Sequence, residues 1–407
     1  MPRTPLAWAN LTHDRLRFGL FVLGIAFAVI LMFVQLGFRN ALLDSNTQLH
    51  DKLRCDLVLV SPNRQAVAMA ESFPRRRLEQ VRAVPGVAAV YPLYIDNAFG
   101  QLRDTNKLSA DRGPNRGIRS IGLDPDAHLI DVPELDPANE QARKLKTLGT
   151  AFFDRRTKAD PDRPGQTLYG PMADGTETEL SGSTVRLVGE LTIGTDFTCD
   201  GTLVMSDRTF IDTLRRPFTF PSDSPAAAVD LGLVRVEPGA DLGRVKADIR
   251  RAVSTGEADA DVDVFTVAEL KEREQTFWLN NTPIGFAFGF GTFMGFAVGV
   301  VICYQILSGD VTDHLPQYAT LKAVGYGNGY LAWVVLQESL ILAVLGFVVG
   351  LGVSWVAYEA LTATTGMPLR MTPDRITWVF VGTVAMCAAS GLVALIGLLR
   401  ADPADVF

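Results

Sequence analysis

From Phe18 to Phe38 the chain carries no charged residue, and three more long apolar stretches follow at residues 282–307, 329–358 and 376–399. A helix of about 20 apolar residues covers the hydrocarbon core of a bilayer, and each stretch reaches that length. Four such runs predict a membrane α-helical bundle of four transmembrane helices. Composition agrees, with 48% hydrophobic residues and a positive mean hydropathy. The charge is concentrated elsewhere: of 38 basic and 45 acidic residues, 31 and 37 lie between Arg39 and Glu274. Residues 39–281 are therefore expected to form a large water-soluble domain inserted between helices 1 and 2.

Arg3, Arg15 and Arg17 stand on the N-terminal side of the first run, which favours a cytoplasmic N-terminus under the positive-inside tendency. With an even number of spans, residues 1–17, the loop 308–328 and the tail 400–407 share the cytoplasmic side. Residues 39–281 and the short loop 359–375 then face the periplasm, and the expected location is the cell inner membrane, multi-pass. A cleaved signal peptide is the competing reading of the N-terminus. Against it, the apolar run is longer than a signal core and no small-x-small site follows within Gln35–Asn46. Before the first span, Leu6, Trp8, Leu11, Leu16 and Phe18 alternate with polar residues, which suits an interfacial helix and equally a flexible tail.

The loop 308–328 holds nearly all the charge between the second and third runs. Within it Leu315, Tyr318, Leu321 and Lys322 recur at helical spacing, Pro316 suits a first turn, and Gly325 and Gly327 suit its end. Taken alone, this is a solvated connector or a small docking helix. The wording YQILSGDVTDHLPQYATLKAVGY, followed by LQESLILAVLGFVVG, resembles the permeases of DevC-type exporters. These belong to the wider family of ABC-transporter permeases that includes MacB, the lipoprotein-releasing permeases and FtsX. The resemblance extends to LAWANLTHDRLRFGLFVLGIAFAVILMFVQLGF near the N-terminus and to the ending RADPADVF, and is thin across the middle of the chain.

The resemblance implies that the loop after the second span is a coupling helix seated on a separate ATPase. The family pattern falls on Gln317–Gly325, with Gln317 where the family usually has an acidic residue. The ATPase-coupling residues carried over are Asp313, His314, Tyr318, Ala319, Leu321, Lys322, Ala323 and Gly325. Bulky charged residues at Ala319, Leu321 and Ala323 would then uncouple ATPase binding. Also implied are a homodimer, a cytoplasmic ABC ATPase that uses ATP and Mg, a periplasmic adaptor, an outer-membrane channel, and an amphiphilic or glycolipid-like cargo for export. FtsX-like relatives imply an alternative, a signal transducer that activates a periplasmic partner without moving cargo.

The sequence suggests no chemistry of its own. There is no GxxxxGK[ST] stretch and no G-x-S-x-G elbow, and His13, His50, His128 and His314 lack metal-type spacing. No catalytic, cofactor-binding or metal residue is assigned, and a non-catalytic subunit is expected. The interleaved charges of Arg143–Lys158 do not indicate nucleic acid. Glu338 and Gln35 are intramembrane polar residues expected to bond neighbouring helices. Gly285, Gly289, Gly291, Gly295 and Gly299, with Gly346, Gly350 and Gly352, allow close helix approach. Cys303 and Cys387 read as apolar fillers, while Cys55 and Cys199, facing an oxidising compartment, are candidates for a disulfide.

Inside the inserted domain, strands are expected at residues 56–61, 87–95, 118–123, 184–191, 202–205, 231–236 and 261–265, and helices at 75–84, 241–253 and 267–276. Ser206 reads as a helix N-cap, and Leu242, Val245, Ile249 and Val253 form one apolar face. Residues 131–174 read as an irregular excursion or a rim loop. The alternation predicts an α+β domain with two βαβ-like lobes, whose last helix runs on into the second span through a junction loosened by Asn280, Asn281 and Pro283.

Overall fold

The computed structural model describes residues 14–105, 115–215, 226–254, 261–365 and 369–400. The chain divides into two compact units, one of residues 42–282 with 364–368, the other of residues 1–41, 283–363 and 369–407. Helix α1, Arg15–Thr47, supplies residues to both and continues nine residues beyond the apolar run that ends at Phe38.

The first unit is built on an 11-stranded mixed sheet. Its strand order is 263–266, 57–60, 231–236, 87–96, 119–123, 202–206, 150–154, 183–191, 177–180, 101–103 and 115–117. Two neighbouring pairs are parallel, 202–206 with 119–123 and 150–154 with 183–191. The strand 57–60, LVLV, reads as an unbroken apolar run because both faces of the sheet are covered there. Leu57 and Leu59 enter one core, with Leu78 and Val81 of α2 (Arg76–Arg82) and Val245, Ile249 and Val253 of α3 (Leu242–Val253). Val58 and Val60 enter the other, with Leu49 and Leu270 of α4 (Val267–Asn280). Successive side chains point to opposite faces, so a one-residue slip would exchange the two cores.

Several expectations need correction here. The domain is built on one continuous 11-stranded sheet with a small two-stranded one, 73–74 with 228–229, beside it, and not on two βαβ-like lobes, and the stretch read as irregular contributes the interior strand Thr150–Asp154, buried throughout. Asp154 ends that strand, and its carboxylate accepts from the backbone N–H of Gly194 at 2.6 Å and of Arg156 at 2.9 Å. Leu242, in the first turn of α3, is 38% exposed and leaves the apolar face to the other three residues.

Cys55 and Cys199 are free. Cys55 precedes the strand 57–60 and Cys199 the strand 202–206, four places apart in the sheet order. At about 4.8 Å per step that is roughly 19 Å, far beyond the reach of a disulfide. Burial pushes the Cys55 thiol up to about 12 and the Cys199 thiol to about 11, so neither is a reactive thiolate.

Ser206 caps the turn 207–210 as expected, its hydroxyl accepting from Thr209 N–H at 3.2 Å. Thr266 and Glu269 form a reciprocal capping box at the start of α4. The segments that enter and leave the domain are pinned together: His50 Nε2 lies 3.1 Å from Glu274 Oε2, and Lys271 Nζ donates to Asp51 Oδ1 at 2.7 Å. Helix α4 stops at Asn280 and the next begins at Pro283, so the junction is broken at Asn281 and Thr282.

The second unit contains the rest of α1 with α5 (Pro283–Asp313), α6 (Leu315–Ala323), α7 (Asn328–Thr365) and α8 (Pro373–Arg400). Among the described residues four helices, α1, α5, α7 and α8, are long and apolar enough to cross a membrane. Their inner faces bury Ile25, Ala28, Val29, Phe33, Leu342 and Met386, while Leu23, Phe27, Phe290, Trp355 and Trp378 point outward. An apolar exterior of this kind is a liability in water and a match to lipid.

Small residues set the helix spacing. A Cβ added at Gly350 would lie 2.7 Å from Val29, and one at Gly346 would press on Ile25, so α7 packs closely on α1. Gly299 meets Met386 and Ala28 in the same way. Gly289 and Gly352 have nothing within 4 Å of an added Cβ and do not serve packing. Cys303 and Cys387 touch with Sγ atoms 3.6 Å apart, both buried and free. Two boundaries also move: α5 is helical through Asp313, where a loop was expected from Ser308, and α7 continues to Thr365. Leu6, Trp8 and Leu11, and the tail from residue 401, lie outside the described residues.

Candidate functional site

The turn from α5 through α6 to α7 is where the second unit presents polar backbone and side chains between two long apolar helices. Its last α5 turn survives because Thr312 Oγ1 donates to Ser308 O at 2.7 Å and Asp310 points inward, 3% exposed. His314 breaks the helix. It sits at the N-cap of α6, its Nδ1 2.9 Å from Asp310 O. Pro316 occupies the first turn of α6, where the absent N–H is not needed. The helix ends through Gly325 at φ +104°, a backbone region that L side chains rarely adopt, and α7 starts at Asn328.

Helix α6 has one anchored face. Tyr318 is 3% exposed and packs with Val311, Leu331, Val334 and Val335, and Leu321 lies half-buried against the same cluster. The Tyr318 hydroxyl donates to Glu338 Oε2 at 3.5 Å, and Asp310 is buried on the neighbouring helix α5. Glu338 is fully buried on α7. A carboxyl at that depth is stable only with such partners. Asp313, at the end of α5, is paired with Arg17 of α1, whose guanidinium also lies 5.2 Å from the centre of the Phe21 ring. The other face of α6 is open: Pro316, Gln317, Thr320 and Lys322 are exposed, as is Val324 after it, and Tyr326 and Tyr330 stack nearby at 4.7 Å.

This arrangement sorts the residues expected to couple to an ATPase. Lys322 lies on the open face. Tyr318 and Leu321 do not; they hold α6 to its own bundle, because their i, i+3 spacing serves burial against α7. Asp313 and His314 are engaged by Arg17 and Asp310, and Gly325 shapes the turn. Ala319 and Ala323 lie within α6, with their side chains outside the described residues. Of the intramembrane polar residues, Glu338 accepts from Tyr318 of α6, and the Gln35 amide lies over Gly291, with Oε1 2.6 Å from where a Cβ would stand.

Sequence reasoning missed Asp310 and Arg17. Asp310 falls four residues before His314, a helical spacing that marks them as neighbours. Among the described residues no group of three His, Cys, Asp or Glu could hold a metal ion.

Two family matches cover most of the chain. Residues 18–252 match the MacB-like periplasmic core domain, and residues 289–403 match the FtsX-like permease C-terminal domain. Among solved structures, the periplasmic region of MacB from Actinobacillus actinomycetemcomitans aligns at 9% identity over 54% of this chain and 92% of its own length, with a TM-score of 0.35. The extracellular domain of the noncanonic ABC-type transporter YknZ from Gram-positive bacteria aligns at 11% identity over 52% of this chain and 99% of its own, with a TM-score of 0.34. Curated protein sequences gave no match. The MacB-like match alone spans more than half of the sequence, and the chain belongs to the MacB/FtsX family of ABC-transporter permeases.

Proposed function

We propose that this chain is the membrane subunit of an ABC-type export system, which carries an ATPase's conformational change across the inner membrane to a periplasmic domain. The family normally works with an ABC ATPase. In this reading α1, α5, α7 and α8 each span the bilayer, both termini and α6 are cytoplasmic, and two chains pair on two ATPase subunits. An adaptor and an outer-membrane channel receive an amphiphilic or glycolipid-like cargo, and ATP and Mg are used by the partner.

The observation that carries the proposal is the two-faced α6. A nine-residue helix anchored by Tyr318 and Leu321 on Val311 of α5 and on Leu331, Val334 and Val335 of α7, with Gln317, Thr320 and Lys322 open on its other side, offers a partner a surface whose displacement would be felt by α5 and α7. Reconstitution with the partner ATPase in lipid discs tests it. Cargo-stimulated ATP hydrolysis with loss of cargo from the membrane is expected. Altered activity of a periplasmic partner with no cargo moved would replace export by FtsX-like signalling.

A further inference from the structure

A groove of about 870 Å³ lies among α1, α5 and α8 at the end of the bundle where Arg39 and Arg375 stand. Its volume falls in the range that holds small amphiphilic ligands. The lining changes character along its length. Leu36, Phe293 and Trp378 give an apolar wall, and Phe293 and Trp378 are 63% and 75% exposed. Arg39, Asn40, Asp374 and Arg375 form a polar rim with two cations to one anion.

The rim coincides with the ends of the uncharged runs: Arg39 is the first charge after residues 18–38, and Arg375 the last before residues 376–399. On the reading that these helices span the bilayer, the apolar wall lies in the hydrocarbon and the arginines lie at headgroup depth. Guanidinium groups bind phosphate oxygens through paired hydrogen bonds, and a phosphodiester is the anion available at that depth. Two glycines keep the groove open, since an added Cβ at Gly289 or Gly382 meets nothing within 4 Å.

We propose that this groove is a resident site for one anionic phospholipid, its phosphate between Arg39 and Arg375 and an acyl chain along Phe293 and Trp378. The test uses the full chain in mixed discs of phosphatidylglycerol and phosphatidylcholine, with native mass spectrometry reading the lipid that stays bound on release. Selective retention of phosphatidylglycerol is expected. Arg39→Gln with Arg375→Gln should weaken it roughly three- to tenfold, a fraction of a charge-assisted pair at a solvated rim. Gly382→Leu should displace the lipid by filling its space while leaving the charge intact.

Equal retention of both lipids, or retention unchanged in both variants, would overturn the proposal. So would crosslinks through Phe293→Cys between two chains, which would make the groove an interface between copies. Alkaline carbonate extraction separates this from the membrane reading: a chain that washes off the membrane refutes the spanning helices, and one that stays refers the lipid result to the groove alone.

Discussion

At the scale of single residues, Glu338 is fully buried. Its removal takes an acceptor from the Tyr318 hydroxyl in a buried setting. Glu338→Ala is expected to cost about 1–3 kcal/mol, the desolvation left uncompensated, seen as a lower melting temperature of the purified chain. Tyr318→Phe should cost less, about 1 kcal/mol or below, because the contact it breaks is already long. Gly325→Ala places a side chain at φ +104° with open space around it, so its cost of about 1–2 kcal/mol is conformational and not steric.

The buried Arg119–Asp196 pair in the sheet domain gives a pH signature. Burial pushes the Asp196 carboxyl up, and Arg119 together with the hydrogen bonds from Thr198 N–H and Oγ1 outweighs it, for a net value below the ordinary one. A depressed folded value means the stabilisation is present above the unfolded pKa of about 3.9 and is lost as pH falls through the folded value. Thermal melts of the wild type should fall steeply below about pH 4. Asp196→Asn should be destabilised at neutral pH by about 3–5 kcal/mol, through the uncompensated arginine, with a flatter acid limb.

At the scale of elements, α6 tests how the family signal maps onto a surface. Thr320→Glu with Lys322→Glu reverses the charge of the open face without touching the Tyr318 anchor, so co-purification with the ATPase should drop while the melting temperature holds. Leu321→Glu should instead destabilise the bundle, because that side chain packs on the Val311–Val335 cluster. Retained ATPase binding in the first variant would remove α6 from the interface.

Helix and strand positions were readable from sequence where the pattern was long or its end was marked: Leu231–Val236, Asp241 opening α3, Pro316 and Gly325 framing α6. The inward face of α6 was half readable: Tyr318 and Leu321 stood at helical spacing, but the resemblance assigned them to an ATPase contact, and only packing on Val311, Leu331, Val334 and Val335 shows that the spacing serves burial. Thr150–Asp154 was hidden because five buried residues sit inside a stretch dense in charge and proline, and only pairing with two neighbouring strands makes them a strand. The small-residue stripes were readable as a group but not singly. Gly350→Ala should cost about 1–3 kcal/mol by overpacking against Val29, while Gly352→Ala, with nothing nearby, should be neutral in the same melt.

At the scale of the whole molecule, the two units obey different rules of burial, and the chain passes between them within α1, after Thr282 and on either side of residues 364–368. The sheet domain hides apolar side chains on both faces and buries charge in pairs such as Arg119–Asp196 and Arg64–Asp230, with most of its charge at a surface that suits water. The helical unit keeps Asp310, Glu338, Ser354, Thr383 and Ser390 inside and turns Phe27, Phe290, Trp355 and Trp378 outward, so its exterior suits lipid. In the proposed function, alternation of four spans puts α6 on the side of the N-terminus and the sheet domain on the other, which is a testable topology. With the sheet-domain residue Leu148 and the α6 residue Lys322 each replaced by Cys in turn, on a chain whose native cysteines are replaced by Ala, a membrane-impermeant maleimide applied to intact spheroplasts should label Leu148→Cys, 60% exposed in the native chain, and spare Lys322→Cys until the membrane is opened. Labelling of Lys322→Cys from outside would put α6 beyond the reach of any cytoplasmic ATPase, and equal labelling of both would mean that one of the four helices lies along the membrane instead of across it.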